Sequence, residues 1–280
     1  IAKIAPDLLE QALDTDFTET DPNTRLTVSD SKVVVSGLTR DEDARVYDDL
    51  GAGAIGTDFR YTFDVTVDGG TSYGRGDCWA VSNDVDDGYA WKTDNPRAQA
   101  LSAFLYKSSG GDYFIYLRNN ETDNQVNTQI QADTTYYCTV DRTTAGSTST
   151  LTLRLYADAG RRDLVETLSL DDLDDQRTYR YLFAVNSFDK NQSNYTISYT
   201  VENLALADDE WKRTDCFYSL SWQVVEEREE GGIDAADIDD VPTAVVRQYL
   251  WSPRYIDAPV VRWRDANDDG DCTDAGDETL

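Results

Sequence analysis

Runs of strict apolar/polar alternation constrain this chain more than any other feature. Tyr61, Phe63, Val65 and Val67 alternate with Thr62, Asp64 and Thr66. Leu151, Leu153 and Leu155 alternate with Thr152 and Arg154, and Tyr195, Ile197, Tyr199 and Val201 with Thr196, Ser198 and Thr200. Successive side chains of an extended chain point to opposite sides, so each run predicts a strand with one buried and one wet face. Further strands are read at 25–28, 32–36, 78–82, 100–106, 113–119, 135–141 and 179–186. Turn chemistry separates them: Asp68-Gly-Gly, Ser108-Ser-Gly-Gly-Asp112, Ala145-Gly-Ser147 and Asp158-Ala-Gly160. Some ten strands with frequent turns predict an all-β, two-sheet antiparallel sandwich. No βαβ alternation is present to suggest a parallel sheet. One short N-terminal helix is expected at 5–13, with Pro6 in its first turn and Asp7 and Glu10 near its positive end.

The chain carries 25 basic and 54 acidic residues, a net charge of −29. Such a surplus opposes DNA, RNA or an anionic membrane as partner, because the leading interaction with phosphate would be repulsive. No run of 18 apolar residues is present, so no membrane span is expected. No signal peptide is visible and the first residue is Ile1, so the chain reads as a mature or excised segment. It contains no His and no Met, which excludes Ser-His-Asp and Cys-His mechanisms. Cysteines stand at 78, 138, 216 and 272. Disulfides such as Cys78–Cys138 and Cys216–Cys272 and four buried thiols are both open readings.

The order of the strand phrases resembles the concanavalin A-like, laminin G-like jelly-roll family over about residues 10–206. The likeness rests on Asp16-Phe-Thr-Glu-Thr-Asp-Pro-Asn-Thr-Arg-Leu-Thr-Val28, Thr39-Arg-Asp-Glu-Asp-Ala-Arg-Val-Tyr47, Thr135-Tyr-Tyr-Cys-Thr-Val-Asp-Arg142 and Tyr199-Thr-Val-Glu-Asn-Leu204. After a seam at Ala207-Asp-Asp-Glu210, a second resemblance begins. Cys216-Phe-Tyr-Ser-Leu-Ser-Trp-Gln-Val-Val-Glu-Glu-Arg228 and Gln248-Tyr-Leu-Trp-Ser-Pro-Arg-Tyr-Ile-Asp-Ala-Pro-Val-Val-Arg262 resemble the RHS (YD-repeat) family of large secreted or cell-surface β proteins. The expected organisation is therefore a jelly-roll sandwich at 1–207 and a small β-hairpin YD-repeat segment at 211–280. The segment holds little more than one repeat, so it must lean on the sandwich, a partner chain or further sequence.

Two acidic clusters are candidate sites. Asp265-Ala-Asn-Asp-Asp-Gly-Asp-Cys-Thr-Asp-Ala-Gly-Asp-Glu278 puts oxygen ligands at alternating positions around a Gly turn, as a calcium loop does. Asp265, Asn267, Asp269, Asp271, Asp274 and Asp277 are the candidate ligands, although the second half of the loop departs from the calcium pattern. The second cluster is Asn83-Asp-Val-Asp-Asp-Gly88. The jelly-roll resemblance implies calcium and sugar sites on loops of this kind, with Trp79, Tyr89 and Trp91 as stacking rings and Asn83, Asp84 and Asp86 as polar ligands. The plain alternative makes Trp79 a core residue and the acids ordinary turn formers.

Glucanases of this fold carry a Glu-x-Asp-x-x-Glu word on one strand, and no such word occurs here. The expectation is therefore a chain that is not an enzyme. It reads as an extracellular or cell-surface module binding a glycan, with calcium as its ion, carried on a repeat-type β scaffold. The alternative is a structural subunit of a filament, sheath or surface layer, in which copies of the chain join through strand edges.

Overall fold

A computed structural model describes residues 8–10, 12–93, 97–145, 148–172, 177–207, 213–218, 224–230, 244–251, 259–264 and 278–279. They form two compact units, one of residues 9–206 and one of residues 1–8 with 207–280.

The larger unit is a two-sheet sandwich. Its strands are β1 (Leu8–Glu10), β2 (Thr18–Thr20), β3 (Leu26–Ser29), β4 (Lys32–Arg40), β5 (Arg45–Asp49), β6 (Phe59–Gly70), β7 (Arg75–Ser82), β8 (Ala100–Lys107), β9 (Tyr113–Asn119), β10 (Asn124–Ile130), β11 (Thr135–Ala145), β12 (Thr148–Tyr156), β13 (Leu164–Asp172), β14 (Tyr181–Asn186) and β15 (Gln192–Ala207). One sheet runs β13-β12-β11-β6-β15-β4-β3, with β1 also on β15; the other runs β10-β9-β8-β7-β14-β5-β2. Every pairing with a defined register in these sheets is antiparallel.

The alternating runs do what their period demands. Phe63, Val65 and Val67 of β6, Leu151, Leu153 and Leu155 of β12, and Ile197, Tyr199 and Val201 of β15 are buried between the sheets. From the facing sheet they meet Trp79, Val81, Leu101, Leu105, Ile115, Leu117 and Leu182. The close approach of the sheets dictates Gly76, where an added Cβ would lie 2.7 Å from the Tyr199 ring.

The N-terminal helix expectation is corrected. Leu8–Glu10 is a strand beside β15, because sheet pairing outweighs the helix preference of three residues. The one helix among the described residues is α1 (Gly88–Thr93), inside the segment read as acidic turns. Asp87 caps it: its Oδ1 accepts from the backbone N–H groups of Tyr89 at 2.6 Å and Ala90 at 3.3 Å.

For Cys78 and Cys138, of the two open readings, the structure has the buried thiols. Both thiols are free and fully buried in the core, one from each sheet. Burial pushes both thiols up from their ordinary acidity.

The smaller unit holds β16 (Arg213–Tyr218), β17 (Val224–Glu230), β18 (Ala244–Trp251), β19 (Pro259–Arg264) and β20 (Glu278–Thr279). They pair in chain order as an antiparallel meander. β17 and β18 pair as an antiparallel hairpin. The loop bearing Asp265, Asn267, Asp269, Asp271, Asp274 and Asp277 lies outside the described residues.

Candidate functional site

The two outer faces of the sandwich carry different chemistry. On β6, β11 and β12 the outward charges are paired. Asp141 accepts from both Arg60 and Arg154. Asp64 accepts from Arg161 at 2.8 Å and from Asn203 at 2.7 Å.

The seven-stranded sheet is built otherwise. On β8, Leu101, Ala103 and Leu105 enter the core, which turns Ser102, Phe104 and Tyr106 outward. On β9, Ile115 and Leu117 enter it and turn Phe114, Tyr116 and Arg118 outward. On β10, Val126 and Ile130 face the core, leaving Gln125, Asn127 and Gln129 exposed. The registers align these residues in transverse rows: Tyr106, Phe114 and Gln129; Phe104, Tyr116 and Asn127; Ser102, Arg118 and Gln125. Phe104 and Tyr116 stack at 4.6 Å and 6°. Tyr106 meets Tyr116 edge-on at 6.0 Å and 89°. The result is a half-buried aromatic strip beside a row of exposed amides.

Cations line the same face. The Arg75 guanidinium lies between the rings of Phe104 at 3.6 Å and Phe188 at 3.8 Å. It pairs with fully buried Asp77 at 3.5 Å. The Arg40 guanidinium lies 4.9 Å from the Phe188 ring centre and donates to the Tyr73 carbonyl at 3.2 Å. Lys107, by contrast, follows the core-facing series of β8 and donates to the Tyr113 hydroxyl at 2.9 Å and to the Gly70 carbonyl of β6 at 2.8 Å. Fully buried Arg118 donates to Asp123 at 2.5 Å, and Lys92 and Arg97 stand 3.7 and 3.6 Å from the same carboxylate. In a chain of net charge −29, Arg40, Arg75, Lys92, Arg97 and Arg118 gather here around two carboxylates, Asp77 and Asp123.

Burial governs the acidities here. It pushes Asp77 up to about 6 against the pull of Arg75 and Arg118. It likewise pushes Asp87 up to about 6, although three backbone N–H donors pull the other way. The Tyr106 phenol is raised mainly by burial and lowered in part by Arg40 and Arg75, so it stays protonated at neutral pH. Gly88 opens α1 directly over Asp77, where an added Cβ would lie 2.8 Å from Oδ2.

The loop residues expected to bind ligand are dispersed. Trp79 lies at 0% exposure between the sheets, tilted against Phe59 and Tyr61. Trp91 lies at 0% under α1, edge-on to Phe183. Neither ring offers a face to a sugar: Trp79 lies in the core, as its plain alternative had it, and Trp91 is buried too. Asn83 holds the loop together through Gln99 at 3.2 Å and the Thr178 carbonyl at 2.9 Å. Asp84 and Asp86 are exposed, and the Asp86 carbonyl accepts from Asn186 at 2.9 Å. Tyr89 is half-buried, edge-on to Phe188 at 5.3 Å, and borders the aromatic strip. Among the described residues, no group of three or more His, Cys, Asp or Glu is placed to hold a metal ion.

No protein-family model matches the chain, and a search of curated proteins finds no match. Solved structures do resemble it. The alginate lyase Aly36B is 14% identical, with 73% of this chain and 98% of that chain covered and a TM-score of 0.48. A legume lectin-like domain from Entamoeba histolytica is 11% identical, with 73% and 97% covered and a TM-score of 0.46. Arcelin-5, a lectin-like defense protein from Phaseolus vulgaris, is 10% identical, with 70% and 94% covered and a TM-score of 0.45. At such identity the likeness bears on the fold alone. These findings do not support the RHS (YD-repeat) resemblance of 211–280. The expectation of a chain that is not an enzyme is corrected, because the structures it resembles include several alginate lyases. The missing Glu-x-Asp-x-x-Glu word had excluded one hydrolytic route and says nothing about elimination chemistry.

Proposed function

We propose that the outer face of the seven-stranded sheet binds an acidic polysaccharide, with uronate carboxylates on the cations and sugar rings on the aromatic strip. The observation that carries this reading is the gathering of Arg40, Arg75, Lys92, Arg97 and Arg118 on the face that holds the Phe104–Tyr116 stack and the exposed amides of β10, in a chain whose overall charge would repel an anion. Aromatic faces stack on the apolar faces of sugar rings, amides take up hydroxyls in pairs, and guanidinium forks match carboxylates. Such a polymer is met outside the cell or at its surface. The test is calorimetric titration with alginate, polygalacturonate and hyaluronan, with dextran as the neutral control. Binding to an acidic polymer that weakens with added salt supports the reading; equal binding to dextran, or none to any acidic polymer, sinks it.

A second reading is favoured by Tyr106. Its protonated, half-buried phenol stands in the field of half-buried Arg40, the pairing of proton donor and carboxylate-neutralising cation that β-elimination needs. In that reaction a base removes the proton beside the uronate carboxylate. The freed electron pair forms a carbon–carbon double bond, and the neighbouring glycosidic oxygen leaves with a proton from an acid such as Tyr106. The product is a conjugated unsaturated uronate, which absorbs in the ultraviolet. Incubation of each acidic polymer with the protein, followed at that absorbance, tests it; a flat trace with a polymer that binds rules it out for that polymer.

A further inference from the structure

We propose that Asp123 is an internal stand-in for a ligand carboxylate, and that the cations around it form the principal acid-group subsite of the face. The inference rests on the acidic-polysaccharide reading and adds the subsite and its gatekeeper. Arg118, at 0% exposure, donates to Asp123 at 2.5 Å. Lys92 and Arg97, more than a third exposed, converge on the same carboxylate from 3.7 and 3.6 Å. Those two separations exceed hydrogen-bond length, so one carboxylate faces three cations and completes a short hydrogen bond with one. Two positive charges on the solvent side thus remain incompletely neutralised.

Position ties the cluster to the binding face. Arg118 follows Phe114 and Tyr116 in the outward series of β9, and Lys92 rides on α1, whose Trp91 covers that sheet at Ala80 and Phe183. A polymer lying along β9 therefore brings one of its acid groups to Lys92 and Arg97. Asp123 competes with that group for the same cations and repels it. It thereby sets an affinity ceiling and favours chains whose charge spacing lets them reach the outer cations without displacing it.

The backbone allows a clean test. Asp123 has φ +59°, in the left-handed region that Asn tolerates best among residues with a side chain. Asp123→Asn thus removes the charge while keeping the turn and an acceptor for Arg118. An oligouronate of four to six sugars is titrated at low salt, beside the neutral oligosaccharide made by reducing its carboxyl groups. Asp123→Asn is expected to bind the oligouronate about three- to tenfold more tightly, a gain that fades as salt screens the pair. Binding of the neutral oligosaccharide is expected not to change. Lys92→Gln with Arg97→Gln, confirmed folded by circular dichroism, is expected to weaken oligouronate binding by a similar factor. If Asp123→Asn binds no tighter, and the double variant no weaker, while Tyr116→Ala weakens binding, the subsite is wrong and the acidic-polysaccharide reading stands. If the unaltered chain binds neither oligouronate nor acidic polymer, both fall.

Discussion

Replacing Asp77 by Asn should change how the stability of this protein responds to pH. Asp77 is fully buried, 3.5 Å from Arg75, under the start of α1. Burial raises its carboxyl from 3.8 to about 6. The folded chain thus holds this proton more tightly than the unfolded chain does. The stability it contributes is complete below about pH 4 and is lost as pH rises through about 6. At about 1.4 kcal/mol for each tenfold change in acidity, the loss amounts to roughly 3 kcal/mol. Asp87, also raised to about 6 by burial, adds a loss of the same sign. Arg75, pulled down to about 9 by burial, stays charged throughout this window. Urea unfolding of both proteins between pH 4 and 7.5 reads the Asp77 contribution together with its coupling to Asp87, since titrations remote from Asp77 are common to the pair. The unaltered protein should lose about 3 kcal/mol more than Asp77→Asn across the window. Parallel curves would refute the assignment of a buried, proton-holding carboxyl.

Other expectations follow from the same coordinates. Tyr116→Ala removes the ring stacked on Phe104 at 4.6 Å and should weaken polymer binding by about 1–2 kcal/mol while melting changes little. Leu153→Ala, at a core position with 0% exposure, should cost about 2–5 kcal/mol in urea unfolding. Cys78 and Cys138, buried with raised thiols, should resist a thiol reagent in the native protein and label only on unfolding, as mass spectrometry would count.

The sandwich was legible where one alternating set was apolar and the other polar, as at Tyr61–Val67 and Leu151–Leu155. There the period assigns both strand and buried face. The site was not legible, because Tyr113-Phe-Ile-Tyr-Leu-Arg-Asn119 carries bulky apolar residues in both sets. Its faces separate only once Ile115 and Leu117 are seen beside Leu105 and Ala103 across the β8–β9 register. The signal lay in β10, where Gln125, Asn127 and Gln129 alternate with Val126, Thr128 and Ile130 and mark the wet side of the sheet. Sequence reasoning looked for stacking rings among the tryptophans, but the large rings of Trp79 and Trp91 bury more apolar area and were drawn inside. Helix α1 was missed because Asp86-Asp87-Gly88 reads as a turn, and the capping bonds of Asp87 that convert it to a helix start are visible only in three dimensions.

The strand order has a consequence for how the chain is made. β15 lies between β6 and β4, and β14 lies between β7 and β5. The middle of each sheet is therefore filled by the last strand of the sandwich to be synthesised for that sheet. Until residues 181–207 emerge from the ribosome, β3–β4 and β2–β5 have no central strand to join. The nascent chain must then hold four half-sheets with open inner edges, each a template for wrong pairing. Closure of both sheets is a single late event, and chains stalled before residue 181 should be protease-sensitive throughout, while chains released after 207 resist along their whole sandwich.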